Sequence, residues 1–211
     1  MTKARSPRTV PMVLGIVGGL AGGKSTVAGL LAARGAAVID ADRIGHEVLE
    51  RAEVRAALCC AFGEGILDAK GHVERRRLAE AVFGDGERVE KLNGIVHPPI
   101  LEEIRERVEE IKRLRRAPLI VLDAALLVET GLHEELCEAL LYVDTPQPLR
   151  RERARNGRQM PPEQFDKRAQ AQMAPEEKRT LADYIVTNGG SLEELETQIG
   201  KLWPALSGLT T

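Results

Sequence analysis

Aromatic residues make up only 3% of this 211-residue chain: one tryptophan, two tyrosines and three phenylalanines. Proteins that read single-stranded nucleic acid stack bases on such rings, so their scarcity speaks against that class of function. Positive charge is not in surplus either. Thirty Lys and Arg against 32 Asp and Glu leave a formal net charge of −2, and no global field draws in polyanions. A small anion would have to be held by local geometry. Cysteine is equally sparse. Cys59, Cys60 and Cys137 form no C-x-x-C pair and no disulfide framework, which fits a reducing compartment. No apolar run has the length of a membrane span. Lys3, Arg5 and Arg8 near the start are not followed by the apolar segment of a signal peptide. These absences lead us to expect a cytoplasmic protein without nucleic-acid or membrane partners, a monomer or weak homo-oligomer, with residues 1–11 as a flexible tail.

What is present is enough for a core: 43% of the residues are apolar and 29% charged. Five short runs, Val13–Val17, Ala36–Asp40, Pro118–Asp123, Ala139–Asp144 and Asp183–Asn188, read as buried strands, because near-continuous apolarity suits a strand covered on both faces. Helical patterns separate them, among them Ser25–Arg34, Val96–Arg116 and Ser191–Leu206. Such alternation predicts an α/β fold, three layers with a five-stranded parallel sheet between helices. Two segments break the alternation. Residues 49–93, mostly helical with a turn at Asp68–His72, lie between the second and third strands. Residues 149–181, crowded with Arg150, Arg151, Arg153, Arg155, Arg158 and Arg168, lie between the fourth and fifth. Both are expected as insertions in a single domain over 12–211 whose core is 12–48, 94–148 and 182–211.

The run GIVGGLAGGKST (Gly15–Thr26) carries the clearest chemistry. Gly18, Gly23, Lys24 and Ser25 satisfy G-x-x-x-x-G-K-[ST], after an expected strand and before an expected helix. In that setting the main-chain amides of Gly19, Leu20, Ala21, Gly22, Gly23, Lys24, Ser25 and Thr26 cradle phosphate oxygens, and side chains at the tightest positions would block the approach. Lys24 reaches the β- and γ-phosphates and the Ser25 hydroxyl ligates Mg²⁺. ATP and Mg²⁺ are the expected cofactors.

Acids stand where ligands of such sheets bind, at the carboxyl ends of strands. Asp40 and Asp42 follow the second; Asp42, further out, is placed as the base that accepts the proton of an attacking hydroxyl. Both would alternatively serve as helix caps. Asp123 ends the third strand in the position of a metal-holding acid. Arginines of the late insertion would neutralise charge on a transferred phosphoryl group, and a lid there would keep out water. His97 precedes Pro98, so it is expected in an extended or turn conformation just before a helix, as a structural histidine or a substrate contact. His46, His72 and His133 show no metal-ligand spacing and receive no role.

These residues together resemble the dephospho-CoA kinase family from Val13 to about Trp203. The resemblance is carried by GGLAGGKST, VIDADRIGHEV, LNGIVHPPI and the series Gln172, Lys178, Ala182-Asp183, Asn188 and Gly190. It implies an adenylate-kinase-like core, a helical substrate domain after the second strand and a lid after the fourth. The implied reaction is phosphorylation of the ribose 3′-hydroxyl of dephospho-CoA by ATP. It also implies Asp42 as the acid that activates the acceptor, Arg75 and His97 on the substrate side, Asn188 and Gly190 near the adenine, and Arg153, with Arg155 as competitor, as the catalytic lid arginine. The chain has Ala21 where the family usually has glycine, Gly22 in place of a serine, and ALLVE (Ala125–Glu129) in place of PLLFE. Two other functions stand against this one. A different P-loop nucleoside or nucleotide kinase would share the glycine loop but not the family-specific blocks. A GTP switch would need an Asn-Lys-x-Asp quartet for guanine, and the chain has none.

Overall fold

The five apolar runs become five strands: β1 (Met12–Gly18), β2 (Ala37–Asp40), β3 (Leu119–Asp123), β4 (Ala139–Asp144) and β5 (Tyr184–Thr187). They form one parallel sheet in the order β2-β3-β1-β4-β5. The computed structural model describes residues 10–208, apart from the side chain of Arg158. The tail expected at 1–11 falls outside them for residues 1–9. Parallel neighbours cannot be joined by hairpins, so helical crossovers separate them.

All seven residues of β1 are buried. Met12, Leu14 and Ile16 point to one face, where they pack with Leu119, Val121, Leu141 and Val143 of the neighbouring strands. Two helices cover that face: α1 (Lys24–Ala32), through Val27 and Leu31, and α10 (Leu192–Ser207), through Leu195, Ile199 and Leu206. Trp203 of α10 is half-buried against the same cluster. On the opposite face a Cβ at Gly15 would lie 2.7 Å from Leu127 and Leu140 and 2.9 Å from Cys137. Only a glycine lets that layer approach so closely. Burial, then the adjacent Glu138 charge, pushes the Cys137 thiol pKa up to about 12.

The expectation of five fully buried strands is corrected at the sheet's edges. Val38 of β2 is 41% exposed and Ile185 of β5 40%, because each edge strand has a neighbour on one side only. The first residue of α10 follows a reciprocal cap: Glu194 N–H donates to Ser191 Oγ (3.2 Å) and Ser191 N–H to Glu194 Oε2 (3.1 Å). This arrangement satisfies two amides that helix geometry leaves unpaired.

The chain divides into two units. Among the described residues, the first comprises 10–40 and 108–208, the sheet with its covering helices. It also holds the short α6 (Leu132–Leu136) and three helices between β4 and β5: α7 (Gln147–Arg158), α8 (Pro162–Gln170) and α9 (Pro175–Leu181). Ala154, Met160 and Phe165 give α7 and α8 a small core of their own.

The second unit, 41–107, is helical: α2 (Ala41–Leu49), α3 (Ala52–Phe62), α4 (Arg75–Val82) and the first part of α5 (Gly86–Leu114). Ile44, Val48, Val54, Leu58, Leu78, Val82 and Ile104 are its buried residues in these helices. The Asp68 carboxylate closes the turn between α3 and α4 by accepting from His72 N–H (2.9 Å) and Lys70 N–H (2.8 Å). These two bonds hold its pKa below the ordinary value.

One local expectation is overturned here. His97, expected in an extended or turn conformation, lies inside α5, which continues through Pro98 and Pro99. The bias against helix before proline is a preference, and two missing N–H donors are tolerated where packing holds the helix on either side. Val96 and Ile100 line an apolar cavity beside the prolines and Ile104 is fully buried. No described helix is long and apolar enough to cross a membrane.

Candidate active site

The glycine-rich loop leaves the end of the central strand β1 and enters α1. Gly22 N–H donates to Gly19 O (3.0 Å), and Val27 N–H takes the carbonyl of Gly23 (3.1 Å) as the helix begins. Ala21 (φ 57°) and Gly23 (φ 88°) both adopt left-handed backbone. Alternating hand along a short run turns successive amides toward one concave side, the geometry that binds anions. Gly23 caps α1 without a side chain, so the positive end of the helix is left open to a ligand. A Cβ at Gly23 would collide with the Asn188 side-chain amide. Glycine is therefore required here both by hand and by space.

The loop is braced from the ends of two strands. The Gly22 carbonyl accepts from Thr145 Oγ1 (2.7 Å), just beyond β4, and from Asn188 Nδ2 (2.9 Å), just beyond β5. Arg153 Nη2 donates to Asn188 Oδ1 (3.4 Å). The structure thus brings together Gly22, Gly23, Asn188 and Arg153 of the expected residues. Arg155, the competitor, is exposed and bonds only its neighbour Asn156 among the bonds described (3.4 Å). Lys24 Nζ reaches back to Gly18 O (3.4 Å), and Ser25 and Thr26 are exposed in the first turn of α1. Gly190, also exposed, leaves room for the Glu194 carboxylate of the α10 cap.

One arginine of the site escaped sequence reasoning. Arg150 is 8% exposed, donates to the Thr145 carbonyl (3.1 Å), and lays its guanidinium against Gly19. In a run of similar arginines nothing marks it except its position in the first turns of a helix that starts beside the loop. Arg150, Arg151 and Arg179 line a cleft of about 680 Å³ together with Gly19, Thr145 and Gln172. Its charge is partly balanced: Arg179 pairs with Asp144 (2.6 Å) and Arg151 with Asp166 (2.6 Å). Tyr142 lines the same cleft, its hydroxyl pKa raised by burial and then by Asp144.

Asp123 ends β3, half-buried, and the strand register sets it opposite Asp40 on β2 and Ile16 on β1. The residues after it, Ala124 and Ala125, line a small cavity with Gly18 and Lys24. Among the described residues no cluster of three or more His, Cys, Asp or Glu side chains is arranged to hold a metal ion.

Within the second unit, Asp42 is exposed in the first turn of α2. Arg75 opens α4, and its guanidinium meets His46 Nε2 of α2. His46 had no role on spacing alone, and only the fold shows this partner. Arg75 also lines an apolar cavity of about 300 Å³ with Leu49, Leu78, Val82, Val96 and Ile100. His97, half-buried in α5, is not among the residues lining it.

Residues 12–194 match the sequence profile of the family described as dephospho-CoA kinase. The chain belongs to the dephospho-CoA kinase family. Dephospho-CoA kinase of Thermobifida fusca is 39% identical over 194 residues, 92% of this chain and 95% of that protein. Dephospho-CoA kinase of Aquifex aeolicus is 38% identical over 195 residues, covering 92% and 97%. Among solved structures, TT1252 from Thermus thermophilus superposes with a TM-score of 0.82 at 35% identity, over 96% of this chain and all of that one. Shikimate kinase from Acinetobacter baumannii shares the fold alone, with a TM-score of 0.51 at 18% identity over 92% and 94%. Membership of the dephospho-CoA kinase family makes the chain a kinase with a P-loop fold.

Proposed function

We propose that this chain transfers the γ-phosphoryl group of ATP to the ribose 3′-hydroxyl of dephospho-CoA, giving CoA and ADP in the last step of CoA synthesis. The observation that carries this function is the match to dephospho-CoA kinases across residues 12–194, nearly the whole chain rather than the glycine loop alone.

In this reaction the amides of Gly19–Thr26 and the Lys24 ammonium hold the β- and γ-phosphates. Asp42 accepts the proton of the 3′-hydroxyl as its oxygen bonds to phosphorus, and the bond to the β,γ-bridging oxygen breaks to leave ADP. Little covalent work falls to the protein, and positioning and charge stabilisation dominate. Arg153 supplies positive charge beside the loop, supported by its bond to Asn188. Asn188 and Gly190 border the adenine, and Arg75 and His97 serve the acceptor.

Ser25 and Asp123 would hold Mg²⁺, which when bound offsets charge on the phosphates. They suit it as hard oxygen donors, an exposed hydroxyl opening α1 and a half-buried carboxylate ending β3. Mg²⁺ keeps several waters and takes phosphate oxygens, so two protein ligands suffice.

The test is incubation of the purified protein with Mg-ATP and dephospho-CoA, with the products identified by mass. Phosphorylation at the 3′-position, with nucleosides and small sugars left unmodified, is the expected result. Faster transfer to any of those alternative acceptors would overturn it.

A further inference from the structure

Two segments of the family pattern, Ala125–Glu129 and Gln172–Lys178, have no part in the mechanism above. The fold joins them. Glu129 Oε1 lies 2.6 Å from Lys178 Nζ and accepts the N–H of Met173 (3.0 Å), while Gln172 Nε2 donates to Ala125 O (3.4 Å). The Lys178 side chain is 2% exposed and that of Glu129 15%. Among the described residues the second carboxylate oxygen, Oε2, is buried with no hydrogen-bond partner. Both side chains line one small cavity with Gly18, Lys24, Ala124 and Ala125.

Removing two charges from water is expensive, and an apolar pair of similar size often serves stability as well or better. Such a pair with an oxygen left unsatisfied is a poor device for stability alone. Its location is more telling. It fastens the segment that follows Asp123 to the start of α9, and it does so where both border the loop glycine and the loop lysine.

We infer that Glu129 is a positioning residue for phosphoryl transfer: by holding the Lys178 ammonium and the Met173 amide on one oxygen, it fixes α9 and the segment after β3 beside Gly18 and Lys24. This rests on the proposed function only in taking dephospho-CoA as the acceptor.

Glu129→Gln keeps the shape and removes the charge, and Glu129→Leu with Lys178→Met removes both charges. Thermal unfolding, ATP affinity, kcat and KM are compared with wild type. Glu129→Gln should lose at least about tenfold in kcat, with KM for dephospho-CoA within about threefold and ATP affinity about threefold weaker, so that most of the loss falls on the transition state. The double variant should unfold at or above the wild-type temperature and still show the loss in kcat. Wild-type kcat in Glu129→Gln, or recovery of both stability and kcat in the double variant, overturns the inference.

A third measurement needs no variant. ATP binding and the Glu129 contacts must favour each other reciprocally, so Mg-ATP should slow hydrogen exchange at the wild-type Met173 amide by about threefold or more. Unchanged exchange overturns the inference even if the variants fail to fold. Absence of transfer to dephospho-CoA by the wild type sinks the proposed acceptor, while the exchange measurement still judges the role of the Glu129 contacts.

Discussion

Ala21 carries a left-handed backbone, φ 57°, in the loop between β1 and α1. Left-handed backbone costs an L-residue about 1–2 kcal/mol, and glycine returns about 0.5–1 kcal/mol of that through greater freedom of the unfolded chain. Ala21→Gly should therefore raise stability by about 0.5–1 kcal/mol in urea denaturation, and a loss of stability would contradict the strain. Asp42→Asn should keep ATP affinity while transfer falls by about a hundredfold or more, the worth of a general base. Wild-type turnover by that variant would remove Asp42 from its role. Cys137, half-buried and with its thiol pKa pushed up to about 12, contrasts with exposed Cys60. Near neutral pH iodoacetamide should modify Cys60 in the folded protein and spare Cys137, because only thiolate reacts. Mass mapping of labelled peptides decides it. At this scale the sequence was legible where one residue type is obligatory, as at Gly23, which both backbone hand and space restrict to glycine. It was opaque where many alike compete: Arg150 looks no different from Arg151 or Arg155 until the helix places it on Gly19.

The elements were easier to read. β3 and β4 are unbroken apolar runs, and a strand between two layers can be little else. The reading failed at His97, where a local rule about the residue before proline met a 29-residue helix whose packing outweighs it. It was silent on the pairing of Glu129 with Lys178, because side chains brought together from distant segments leave no periodic trace. The capping box of α10, Ser191 with Glu194, was not read from the sequence, and it supports a quantitative expectation. Ser191→Ala should destabilise the protein by about 1 kcal/mol, read from the urea midpoint at unchanged slope. A change within error would mean that packing of Leu195 and Ile199 alone sets the helix start.

For the molecule as a whole, the acid limb of stability has a candidate source in the second unit. Glu103 of α5 accepts from Arg107 Nε (2.7 Å) and meets Arg51, and Arg107 also pairs with Glu47 of α2 (2.5 Å). The bond from Arg107, aided by the charges of Arg107 and Arg51 and opposed by burial, holds the Glu103 carboxyl below its ordinary 4.5. A carboxylate with a depressed folded pKa contributes stability above its unfolded value and loses it as pH falls through the folded one. Glu103→Gln should thus be less stable than wild type near neutrality, with the gap narrowing as pH falls below the ordinary 4.5. Parallel stability curves would exclude this network as the cause.

The single tryptophan, Trp203, and both tyrosines, Tyr142 and Tyr184, belong to the unit built on the sheet. The helical unit from Ala41 to Arg107 has only Phe62 and Phe83. Intrinsic fluorescence on heating consequently follows the nucleotide-loop unit alone, whereas far-ultraviolet ellipticity sums the helices of both. Recording the two signals side by side gives a label-free comparison of when each part of the kinase lets go.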